Sequence, residues 1–209
     1  MLEANIRLAT SFDVLELAQL HSKSLPDDYL PSLGLNFLQE EYYPAALQSF
    51  HAATYAACVE GRVVGFVTVA HDSAAFTQDV VRNRSGAMVK YALAAMLRNP
   101  THIFQSFQVF WAAIIAKPDP IPGEIVFIAV DENYRNYGIG KQLVQKALGY
   151  LRQHYVKQCR TKTLAQNKNV IGMYEKLGWA VHNRFRLIGK EYVTLVSNSC
   201  SSIKGQDER

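Results

Sequence analysis

Hydrophobic and polar positions change period several times along the chain, and each change marks an element. Asn5 to Thr10 reads as a short strand. Ser11 and Asp13 can cap a helix whose Val14, Leu17, Ala18 and His21 fall on one face, with His21 expected as a hydrogen-bonded core residue. Two prolines and a glycine between Leu25 and Gly34 predict a loop, and helical spacing returns from Leu35 to about His51. Thr54 to His71 holds two β-rich runs broken at Glu60-Gly61-Arg62, the signature of an antiparallel hairpin. Glu124 to Val130 is continuously apolar, as in a central strand covered on both faces. Ile139, Leu143, Val144, Ala147, Leu148, Leu151 and Tyr155 then keep one face of a long helix apolar. Thr161 to Ala165 predicts a strand, and Val170, Met173, Tyr174 and Leu177 form a second stripe ending at Gly178. Trp179 to Ser197 reads as a final hairpin turning near Gly189.

The segment from Ser73 to Gly123 breaks this rhythm. Ala87 to Leu97 favours helix, Pro100 interrupts it, and Thr101 can cap a second helix running to Lys117. Phe104, Phe107, Phe110, Trp111 and Ile114 recur at three- and four-residue steps, so a broad face is apolar. Packing against the sheet is the plainer account of that face. A lid over an acceptor site, a homodimer surface and a peripheral membrane contact stay open. Residues 198–209 are polar and read as a flexible tail.

Composition narrows the class. Of 209 residues 49% are apolar and 19% charged, values of an ordinary globular domain. The formal net charge of +4 is scattered, which speaks against a nucleic-acid surface yet suits a small anionic ligand. Cys58, Cys159 and Cys200 stand far apart without metal-ligand spacing, which points to a reduced compartment and no metal. No signal sequence is evident at the start, and the apolar run from Ile103 to Ala116 is too short to span a bilayer. A cytoplasmic protein with no transmembrane segment is the expectation.

The chemistry concentrates after the apolar strand, in VDENYRNYGIGKQL. A helix start exposes unpaired N–H groups and a partial positive charge, together a natural anion site. Gly138 and Gly140 carry no Cβ to block a ligand, and Arg135 and Lys141 add charge. The stretch is neither a G-x-G-x-x-G fingerprint nor a Walker A loop.

Arg135-x-x-Gly138-x-Gly140 between a strand and a helix, followed by Asn167 and by Tyr174-Glu-Lys-Leu-Gly178-Trp179, resembles the GNAT superfamily of acetyl-CoA-dependent N-acetyltransferases. The order of elements over Ile6 to Asp72 and Glu124 to Ser197 agrees with that family, with Trp179 in place of the usual Phe and Val170 in place of a frequent Ala. The resemblance implies an α/β fold, a mixed and largely antiparallel sheet of about seven strands flanked by helices, as one domain over 1–197 with a helical insertion at 73–123. It also implies acetyl-CoA as cosubstrate and no metal. Arg135, Asn136, Tyr137, Gly138, Ile139, Gly140 and Lys141 would hold the pyrophosphate. Ile128 and Val130 would pair with the pantetheine arm, the Ile128 amide would polarise the thioester carbonyl, and Asn167 would lie near the pantetheine or the acetyl end, bridging the splayed strands.

An alkyl amine is neutral in roughly one molecule in a thousand at pH 7, so amide formation calls for a base. Glu124 stands eleven residues before Arg135, the spacing of the catalytic glutamate in histone-type members of the family. Asp72, His71 or Tyr29 acting through water are alternatives. Tyr174, on the buried stripe, would act as the acid toward the departing thiolate. A small-molecule primary amine, such as an amino sugar, is the leading expectation for the acceptor. A protein or peptide amine is its alternative, and a non-catalytic acyl-CoA sensor is the non-enzyme reading.

Overall fold

The computed structural model describes residues 4–26, 28–82, 86, 90, 91, 120–187 and 189–197. Strands β1 (Asn5–Leu8), β2 (Ala52–Val59), β3 (Arg62–Ala70), β4 (Gly123–Val130), β5 (Cys159–Leu164), β6 (Ala180–Leu187) and β7 (Lys190–Ser197) form one seven-stranded sheet in the order β1-β2-β3-β4-β5-β7-β6. Every neighbouring pair is antiparallel except β4 with β5. The β2–β3 turn is made by Glu60 and Gly61, with φ of 50° and 80°. Two successive left-handed residues give the backbone twist that a two-residue hairpin needs.

Each face of the sheet carries its own core. On one, α1 (Val14–Ser24), α2 (Tyr29–Ser32), α3 (Leu35–Phe37), α4 (Tyr43–Gln48) and α5 (Ser73–Arg82) bury Leu17, Phe37, Tyr43 and Val80 against Phe66 and Ala129. On the other, α6 (Ile139–Gln153) and α7 (Lys168–Lys176) bury Leu143, Val144, Leu151 and Tyr174 against Val67, Val69 and Ile125. Arg7 fastens β1 to the start of α1 by donating from both Nη atoms to Asp13 at 2.7 Å, and those bonds lower the Asp13 pKa to about 2.

The departures from the sequence pattern have local causes. The expected loop from Leu25 to Gly34 contains the single turn α2. The helix expected from Leu35 runs as α3, a π-helical turn over Leu38–Tyr42, and α4. Pro44 sits at the first positions of α4, where its ring would meet the carbonyl four residues back, and a widened turn relieves that clash. Helix α5 was not anticipated; Asp72 Oδ1 starts it by accepting from the Ala75 amide at 2.9 Å. Tyr155, expected on the apolar face of the long helix, lies beyond its end with φ 57° and is 92% exposed. The helices expected at 87–97 and 101–117 fall almost wholly outside the described residues, as does the tail.

His21 is fully buried, as expected of a core histidine. Its Nδ1 lies 3.0 Å from the Tyr43 hydroxyl and its ring 4.6 Å from that of Phe127. Burial presses its pKa from 6.5 down to about 3. His71, stacked on His154 at 4.3 Å, is shifted the same way, first by burial and then by the neighbouring imidazoles. Below pH 6.5 the unfolded chain takes up protons that the folded chain refuses, so stability is full above that value and declines as the pH falls toward 3. Stability is expected to drop by about 2 kcal/mol between roughly pH 6.5 and pH 5 from His21 alone. Urea unfolding across that range checks it, and His21→Gln should remove most of the slope.

Candidate functional site

Parallel pairing of β4 with β5 stops after Gly123–Cys159, Glu124–Arg160 and Ile125–Thr161. Beyond that point β4 stays on β3 as far as Val130 and β5 stays on β7 as far as Leu164, so their facing edges part. Val126 is an extra residue in β4, because the register steps from Val69–Ile125 to Thr68–Phe127. Such a bulge bends its strand and strengthens the local twist. The Asp131 amide donates to the Val64 carbonyl at 2.8 Å, so strand alternation points Ala129 backbone groups at β3 and those of Ile128 and Val130 into the gap.

At the open end of the gap the chain makes a tight turn into α6. Asp131 Oδ1 accepts from the Asn133 amide at 3.0 Å and caps a 3₁₀ turn over Glu132–Tyr134. Arg135 Nε donates to the Val130 carbonyl at 3.1 Å. Asn136 and Gly138 then take φ of 68° and 82°, and α6 begins at Ile139. Among the described residues, the amides from Asn136 to Lys141 have no backbone acceptor. Arg135, Asn136, Tyr137, Gly138 and Lys141 are exposed while Ile139 is buried, so the turn is anchored from below and open above. A Cβ built on Gly140 would lie 3.4 Å from Met173 Sδ and 3.9 Å from Val130 Cγ2, ordinary contacts that a methyl group tolerates.

The second motif lines up across from this turn. Asn167 is the N-cap residue of α7; its carbonyl accepts from Ile171 at 3.1 Å, and its exposed side chain makes no cap bond. Tyr174 is fully buried, its ring 4.8 Å from that of Trp179 and its hydroxyl near the Thr161 side chain. Burial pushes the Tyr174 phenol pKa well up, so it stays protonated at any physiological pH.

Glu124 lies at the closed end of the gap and is not alone. Its Oε2 accepts from Arg160 Nε at 3.0 Å and Nη2 at 2.8 Å, and its Oε1 accepts from Lys162 Nζ at 3.1 Å. Arg160 Nη2 also donates to Ser73 Oγ at 3.1 Å, tying in the start of α5. Sequence reasoning missed these two cations. Their two-residue spacing on a strand put them on one face, but nothing local said that Glu124 shares it. Among the other base candidates, Asp72 caps α5, His71 Nδ1 lies 2.9 Å from the Tyr150 hydroxyl, and Tyr29 is half-buried in α2.

A strand pair that opens beside a glycine turn is what the sequence motifs implied, and the sequence profile of the Acetyltransferase (GNAT) family matches residues 15–179. The chain belongs to the GNAT acetyltransferase family. An N-alpha-acetyltransferase of Sulfurisphaera tokodaii is 23% identical over 178 residues, covering 85% of this chain and 80% of the relative. The ribosomal-protein-S18-alanine N-acetyltransferase of Escherichia coli superposes with a TM-score of 0.59 at 12% identity, over 99% of both chains. Ard1 of Thermoplasma volcanium gives 0.56 at 17%, over 93% of this chain and 96% of its own. At those identities the two structures speak to the fold alone. This GNAT protein is therefore an acyltransferase, of a family whose cosubstrate is acetyl-CoA. Among its described residues no helix is long and apolar enough to cross a membrane.

Removing one partner of a buried ion pair leaves the other charge uncompensated. Glu124→Gln is expected to cost about 3 kcal/mol of stability, and adding Arg160→Met should restore more than half of it. Denaturant titration of the single and double variants measures both.

Proposed function

We propose that this GNAT protein acetylates the α-amino group of a peptide or protein N-terminus. Acetyl-CoA would lie with its pantetheine along the open edge of β4, pairing with the backbones of Ile128 and Val130. The amides of Tyr137, Gly138, Ile139, Gly140 and Lys141, with Arg135 and Asn136, would take the pyrophosphate. Asn167 would flank the pantetheine from the start of α7.

The observation that carries the choice of amine is the state of Glu124. Both of its oxygens accept from cations, so the carboxylate nearest the closed end of the gap is engaged in holding β4, β5 and α5 together. A site without a free carboxylate among the described residues suits an acceptor that is already partly neutral. An α-amine, with pKa near 7.7–8.0, is neutral in roughly one molecule in ten at pH 7, against roughly one in a thousand for a lysine-like amine. The Sulfurisphaera tokodaii relative, which aligns over 85% of this chain and is named an N-alpha-acetyltransferase, supports the same reading.

In the reaction the amine nitrogen attacks the acetyl carbonyl carbon, a C–N bond forms and the C–S bond breaks. The nitrogen gives up a proton to water and the departing thiolate gains one. The Ile128 amide would donate to the carbonyl oxygen as charge develops there. Tyr174, held protonated by burial, would donate its proton to the sulfur and be reprotonated through water by the proton the nitrogen releases.

Thiol release from acetyl-CoA, measured with free and N-blocked peptides, amino sugars and polyamines, tests this directly. Peptides with a free α-amine should react and the same peptides with a blocked amine should not. An amino sugar or polyamine that reacts faster than every peptide would return the acceptor to a small molecule. Tyr174→Phe should lower kcat by on the order of a hundredfold. Gly140→Ala should gain roughly 0.5–1 kcal/mol of stability from its helical position yet bind acetyl-CoA less tightly, because the added methyl narrows the ligand's approach.

A further inference from the structure

We propose that Lys23 is a positioning residue for the acyl-CoA phosphates, acting through the turn that leads into α6. This rests on the reading of that turn as the pyrophosphate site. Lys23 lies in the last turn of α1, on the face of the sheet opposite α6. Its Nζ nevertheless reaches Asp131 Oδ2 at 3.2 Å and Glu132 Oε1 at 2.9 Å. Asp131 and Glu132 are the only carboxylates between Val130 and Gly140, and they stand directly before the open amides of Asn136 to Lys141.

Two carboxylates in that place oppose the binding of an anion. They precede the amides closely in the chain, and charges are felt over roughly 10 Å at 0.1 M salt. One ammonium between them offsets one of the two negative charges and so weakens the repulsion that the amides and Arg135 must overcome. Lys23 also fixes geometry. Asp131 is held on its other oxygen by the Asn133 amide at 3.0 Å and Asn133 Nδ2 at 3.1 Å, and through its own amide by Val64 at 2.8 Å. Orienting the Asp131 carboxylate therefore orients the 3₁₀ turn that delivers Arg135 to the Val130 carbonyl. Lys23 stands two residues before Leu25, so the same contact ties the cofactor turn to the base of the loop containing α2.

The test is equilibrium binding of acetyl-CoA to the wild-type protein and to Lys23→Met and Lys23→Arg, at about 20 mM and about 500 mM salt. Lys23→Met should bind acetyl-CoA about three- to fivefold more weakly at low salt, the scale of an exposed ion pair. Lys23→Arg should recover most of the loss, and the gap between Met and wild type should close at high salt. The KM for acetyl-CoA should rise in step while kcat at saturation stays the same. Equal binding by Lys23→Met at low salt overturns the proposal, as does a loss that Arg leaves unrepaired or that salt leaves unchanged. A wild-type protein that binds no acetyl-CoA would instead sink the reading of the turn, whatever the variants do.

Discussion

The organisation of this protein depends on a strand pair that is allowed to meet for only three residues. Parallel strands joined through a helix normally pair along their length, and buried backbone groups that lack a partner are costly. Here β4 and β5 part after Ile125 and Thr161. Two constraints hold them apart. The bulge at Val126 bends β4 while it stays on β3, and six residues of β5, Cys159 to Leu164, are claimed on the other side by β7. Among the described residues the inward-facing groups of Ile128 and the amide of Val130 are left for a ligand or solvent to satisfy, while the Val130 carbonyl accepts from Arg135 Nε.

A gap of this kind needs a clasp at its closed end and a rigid rim at its open end. The clasp is ionic, with Glu124 on β4 joined to Arg160 and Lys162 on β5 and, through Arg160, to Ser73 at the start of α5. The rim is backbone. Left-handed conformations at Asn136 and Gly138 reverse the chain so that α6 begins beside the end of β4, and Ile139 is buried beneath it. On the opposite flank Asn167 starts α7, whose Tyr174 is packed on Trp179 with its hydroxyl near the Thr161 side chain.

What the sequence disclosed was local. The hairpin at Glu60-Gly61, the helix opening at Gly138 and the end of α7 at Gly178 each depend on residues within a few positions, and all are found in the structure. The long-range pieces were silent. Glu124 finds its cations 36 and 38 residues away, and Lys23 meets Asp131 across 108 residues. The bulge was hidden for a different reason: in a continuously apolar run such as Ile125 to Val130, an extra residue leaves no break in alternation to notice. Helix α5 escaped because its start signal is one aspartate beyond the end of β3, in a segment read as belonging to the insertion.

The two ends of the gap solve the same electrostatic problem with opposite arrangements. At the closed end a carboxylate is held between two cations, and at the open end a cation is held between two carboxylates. None of Glu124, Asp131 and Glu132 is left to act as an isolated charge. Beside these paired charges stand the open amides before α6 and the guanidinium of Arg135. Under the proposed function that arrangement would draw phosphates to the open end without placing a free anion of the described residues beside the thioester. A positively charged amine gains little by approaching such a site, whereas an amine that has already lost its proton meets no penalty. Under the proposed function selectivity among acceptors would follow from the acceptor's own pKa as much as from any pocket that surrounds it, so an α-amine would fit where a lysine side chain would be a poor substrate.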